Sequence, residues 1–157
     1  MNEFTEKTVE HVNTSDTGLQ KLAEGRDIRS KELAAFLETT LQEVLTMLHR
    51  KFPEQKDLVD LCNVASSELH KRLQAAGFNA RIFEGDVELA DNDWLQHRVN
   101  LIFLDTQWVV IDVTASQLPW LKNQTPFIGV FDGNKDTLKQ YMKTIFHWWS
   151  ESKKLSE

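Results

Sequence analysis

Cys62, His97 and Asp112 are, by type and order, the residues of this chain best suited to chemistry. A thiol, an imidazole and a carboxylate together supply a nucleophile, its base and the group that orients the base, which is the set needed to attack an amide or acyl carbon through a thioester. Cys62 stands where a helix is expected to begin, and the unpaired N–H groups and positive dipole end of a helix start favour a thiolate. A lone cysteine is also a common buried filler, so the weight falls on its partners. His97 lies at the entry to an expected strand and Asp112 near the end of the next. If Leu104 pairs with Gln107 across a two-residue turn at Asp105 and Thr106, position 97 falls opposite 114, and position 112 becomes its diagonal neighbour on the same face. A loop with an odd number of residues would put the two side chains on opposite faces unless a bulge intervened. Asp112 interrupts the apolar run Trp108-Val109-Val110-Ile111-Asp112-Val113. A carboxylate is costly to bury there without a partner, and His97 is the obvious one. The competing assignment makes Asp112 a cap for a turn at Thr114 and His97 a surface residue at a strand end.

The stretch from Cys62 through Gly77 to Arg81 and Gly85, then His97, then Trp108 to Thr114, resembles the transglutaminase-like branch of the papain-like cysteine hydrolases. In that group a Cys opens a helix that ends in Gly, an Arg-containing strand follows, and His and Asp sit on neighbouring strands. The resemblance implies a Cys62-His97-Asp112 triad on a papain-like/transglutaminase-like core. It also implies a hydrolase or acyltransferase acting on a carboxamide, as in small bacterial effector glutamine deamidases. The decoration departs from the family at three places. Asp60 stands where a Gly commonly lies two residues before the Cys, Arg98 and Val99 follow the His in place of a small residue and Trp, and Val113 replaces a common Pro.

A tetrahedral intermediate needs donors aimed at its oxygen. The Cys62 backbone N–H is the natural first. The likeness to papain-like enzymes, which use a Gln upstream of the Cys, makes the Gln55 side-chain amide a candidate second; its ordinary alternative is an exposed loop glutamine. Most of the five tryptophans are expected in the core. Trp94 and Trp120 are expected in loops flanking the triad strands, where an indole can wall an acyl-binding cleft. His147, Trp148 and Trp149 read as the inner face of a terminal helix, and His70 lies too far along its helix from Cys62 to be its base.

The elements that must position these residues follow from periodicity. Residues 1 to 26 are rich in Thr, Ser, Asn, Asp and Glu and read as a flexible arm with room for one short helical turn. From Ile28 to Phe52, Leu33, Phe36, Leu37, Leu41, Val44, Leu45 and Leu48 form the stripe of a long amphipathic helix, which Pro53 ends. A second helix runs from Cys62 to Ala76 with Gly77 as its left-handed exit, burying Val64, Ala65, Leu69, Leu73 and Ala76. Ala80 to Leu89, His97 to Leu104 and Gln107 to Val113 read as strands, the last two a hairpin. Phe127 to Phe131 reads as a short edge strand, and Asn134 as the cap of a helix reaching Trp149. Helices followed by antiparallel strands predict one α+β domain over residues 27 to 157, with helices on one face of a small sheet.

The whole chain sets bounds on this reading. With 157 residues, 41% hydrophobic and 27% charged, it has the size and balance of one globular domain. A formal net charge of -6 argues against nucleic acid as a partner, and no apolar run reaches the length of a membrane span. One cysteine and scattered histidines argue against disulfides and structural zinc, and the chemistry calls for no cofactor. The polar start, Met1 to Lys7, lacks a secretory signal and reads as cytoplasmic, with export by a signal-peptide-independent route left open. The expected partner is a protein substrate, deamidated, transamidated or cleaved. A non-catalytic protein-binding module on the same fold is the alternative of a different class.

Overall fold

The computed structural model describes residues 15–25, 27–55, 60–91, 93–104, 107–121 and 126–146. In chain order its elements are α1 (Ser15–Ala23), α2 (Ile28–Lys51), α3 (Cys62–Ala75), β1 (Ala80–Ala90), β2 (Asp93–Leu104), β3 (Gln107–Asp112), 3-10 turns at Ala115–Gln117 and Pro119–Leu121, β4 (Phe127–Asp132) and α4 (Lys135–Phe146). The strands form one antiparallel sheet in the order β1-β2-β3-β4. The fold is therefore α+β, with helices packed on a small antiparallel sheet.

Each helix follows from local chemistry. The Asp27 side chain accepts the Arg29 N–H at the start of α2, and His49, Arg50 and Lys51 complement the dipole at its end. Leu33, Leu37, Leu41, Val44 and Leu48 are buried along one stripe, as the 3.6-residue period requires. On α3 the buried positions are Cys62, Ala65, Ser66, Leu69 and Leu73. Val64, expected inside, is 38% exposed, because it lies two residues round the helix from the stripe that Cys62 begins. Ala76 is exposed as well. Gly77 adopts φ +86, the left-handed exit expected of it.

Helices cover both faces of the sheet rather than one. Leu22 of α1, the α2 stripe and Leu69 and Leu73 of α3 share a core with Ile102, Leu104, Val109 and Ile111. Leu138, Tyr141 and Met142 of α4 share a second core with Val99, Leu101, Val110 and Phe127 on the alternate strand positions. Gly129 permits this second layer, since a Cβ there would lie 1.8 Å from the Tyr141 hydroxyl oxygen.

Two segments differ from expectation. Residues 15 to 23 form a helix that belongs to the body: Leu22 is fully buried, Ser30 Oγ donates to the Leu22 carbonyl at 2.7 Å, and Lys21 Nζ donates to the Val130 carbonyl at 3.0 Å. Strand β2 begins at Asp93, not at His97, and pairs with β1 back to Ala90. The terminal helix is described to Phe146, so His147, Trp148 and Trp149 lie outside the described residues. Among the described residues no helix is long and apolar enough to cross a membrane.

Candidate active site

Leu104 pairs with Gln107, and the ladder continues through Asn100 and Ile111. Continued by one more step, that register makes Asp112 the diagonal neighbour of His97. The two side chains meet: His97 Nε2 lies 2.6 Å from Asp112 Oδ2, and both residues are fully buried. A carboxylate can only accept, so Nε2 carries the proton. The same carboxylate also makes the cap that competed with this assignment, its Oδ1 accepting the Thr114 N–H at 3.1 Å. Both proposed roles of Asp112 are thus filled by its two oxygens. Across the other ladder His97 pairs with Gly85, which places no side chain beside the ring.

With Nε2 committed to Asp112, Nδ1 is the nitrogen left to face Cys62, which lies close enough to the imidazole to raise its basicity. Burial by itself disfavours a charged ring. The Asp112 carboxylate more than offsets that by charge and hydrogen bond, Cys62 adds to it, and His97 is raised to about 10. An imidazolium is therefore the resting form at neutral pH. Cys62 Sγ is 3.9 Å from Asn63 Oδ1 and 3.9 Å from the Gln96 carbonyl, and the residue is 8% exposed.

The thiol sits on the first turn of α3, whose N-cap, Leu61, offers no side-chain bond. Leu61 therefore leaves the first N–H groups of that turn without a cap from its own side chain. Asp60, just before it, holds φ +64, a left-handed backbone that glycine adopts freely and aspartate tolerates better than most residues. The helix is tied to β2 by Asn100 Nδ2, which donates to the Ser66 carbonyl at 2.9 Å, while Ser66 Oγ donates to the Cys62 carbonyl at 2.6 Å.

The remaining candidates are placed as follows. Gln55 ends the turn after α2, its N–H bonded to the Phe52 carbonyl, and no described contact joins it to Cys62. Trp94 stands on β2, not in a loop, 40% exposed, on the strand face of Gln96 and beyond the start of α3. Trp120 lies in a 3-10 turn and packs on the second core. His70, on α3, takes no part in the triad contacts, and burial lowers its basicity. Sequence reasoning missed Asn63, Ser66 and Asn100; of these only Asn100, a polar residue inside the run Val99-Asn100-Leu101, carried a visible signal. Among the described residues no cluster of three or more His, Cys, Asp or Glu side chains is placed to hold a metal ion. Set against known protein families, curated proteins and solved structures, the chain matches none of them.

Proposed function

We propose that the chain is a cysteine-dependent amide hydrolase or acyltransferase of the transglutaminase-like kind, acting on a side-chain carboxamide of a protein. The observation that carries this reading is the buried imidazole with Asp112 on Nε2 and Cys62 near enough to add to its basicity. In such a site the Cys62 sulfur attacks the carboxamide carbon, and the C–N bond breaks as the His97 imidazolium gives its proton to the departing nitrogen. Water or an amine then attacks the thioester, losing its proton to His97 and regenerating the thiolate. With Cys62 8% exposed, the group that reaches it must be slender, which favours a glutamine side chain over a folded main-chain segment.

The test is reactivity followed by mass. Native Cys62 should alkylate rapidly with iodoacetamide near neutral pH, and a candidate partner protein should gain the mass change of deamidation or of cross-linking, each distinct from cleavage. Labelling that appears only after denaturation would mean that Cys62 is a buried filler and would leave a binding module as the reading.

A further inference from the structure

The site as drawn has a nucleophile, a base and an orienter, but a tetrahedral intermediate also needs donors for its oxygen. The Cys62 N–H, at the start of α3, supplies one. Resting on the proposed function, we infer that the second donor is the side-chain amide of Asn63.

Geometry leads to this assignment. The oxygen formed on attack lies within a few ångströms of the sulfur, so a donor at hydrogen-bond distance from that oxygen must stand about 3.5–5 Å from the sulfur. The Asn63 amide stands at 3.9 Å. Its oxygen occupies that place in the structure. Asn63 is exposed, so its amide turns about the terminal side-chain bond without disturbing any packing and presents Nδ2 instead. Asn63 also borders a solvent-open groove of about 440 Å³ that it shares with Met47, Lys51, Val64 and Lys71. One residue thus stands beside both the nucleophile and an open groove. The Gln96 side chain, by contrast, is committed to Glu84 at 2.9 Å.

Two probes separate this role from a general effect on the thiol. p-Nitrophenyl acetate reacts through a tetrahedral oxyanion: the Cys62 S–C bond forms, the C–O bond breaks, p-nitrophenolate leaves, and water later releases acetate. Iodoacetamide reacts by direct displacement of iodide and forms no oxyanion. Asn63→Ala should slow nitrophenolate release by about a hundredfold, the usual effect of removing one such donor. It should leave the iodoacetamide rate and the melting temperature unchanged, and Asn63→Gln, which keeps an amide, should recover part of the loss. Parallel loss of both rates, no loss of either, or a wild type that alkylates natively but releases no nitrophenolate would each overturn the assignment. A wild type that alkylates only when denatured instead brings down the Cys62 reading itself, together with this one, and is recognised by that absence of native labelling.

Discussion

Asp112 stands diagonal to His97 across the β2–β3 ladder, and its carboxylate divides its work, Oδ2 taking the ring N–H at 2.6 Å and Oδ1 the Thr114 N–H at 3.1 Å. That division makes the pair testable, because one oxygen can be kept while the other is exchanged.

Asp112→Asn keeps Oδ1 for Thr114 and puts an N–H opposite His97. Nε2 must then accept, so the ring keeps only its Nδ1 proton and turns neutral, and Cys62 loses the imidazolium that supports it. The amide is nearly isosteric, and because the ring turns neutral with it no unpaired charge is left buried. We expect a melting temperature within a few degrees of wild type at neutral pH, with turnover of p-nitrophenyl acetate reduced by about a thousandfold or more. Normal melting with wild-type alkylation and turnover would remove Asp112 from the triad.

Asn100 joins the strand that carries His97 to the helix that carries Cys62. Asn100→Ala removes a buried bond to the Ser66 carbonyl and should cost about 1–3 kcal/mol in urea unfolding. It should also slow iodoacetamide labelling of the native protein, since the first turn of α3 loses its tether to β2. A variant destabilised by that amount whose Cys62 labels at the wild-type rate would confine Asn100 to a structural role.

Where pattern alone decided the outcome, the sequence was readable. The Leu104–Gln107 pairing, and with it the meeting of His97 and Asp112, followed from a two-residue loop and the strict alternation of strands. Cys62 at a helix start followed from the spacing of Ala65, Leu69 and Leu73. α1 escaped because its buried anchor is essentially Leu22 in a polar run, and tertiary contacts with α2 and β4 hold it. The start of β2 escaped because Asp91, Asn92 and Asp93 read as a loop, although Leu95 and His97 already alternate with exposed neighbours. Asn63 and the φ of Asp60 depend on a side-chain direction and a backbone angle that no periodicity encodes.

Asp60 offers a test of that backbone angle. At φ +64 a glycine is free of the Cβ conflict, whereas a β-branched residue is strongly disfavoured. Asp60→Gly should change stability by less than about 1 kcal/mol, relief of strain being set against the greater freedom of the unfolded chain, and should keep native labelling of Cys62. Asp60→Val should destabilise by about 1–2 kcal/mol and slow that labelling, because the turn into α3 sets where the thiol points. Equal behaviour of the two variants in melting and labelling would show that the left-handed turn is not needed there.

The last prediction concerns pH and follows from the raised His97. In the folded protein the imidazolium holds its proton up to about 10, whereas in the unfolded chain it is lost near its ordinary value of about 6.5. Between those values the folded state binds more protons than the unfolded one, so stability falls as pH rises. The contribution is fully present below about 6.5 and is lost as pH passes through about 10, with a slope of at most about 1.4 kcal/mol per pH unit from this group. In Asp112→Asn the carboxylate is absent and burial keeps the ring neutral, so the slope from His97 disappears. Urea midpoints for both proteins from pH 6 to 10 isolate it: the wild type should lose ground relative to Asp112→Asn steadily across that range. Parallel curves would show that His97 is neutral in the folded protein, leaving Cys62 with no imidazolium beside it.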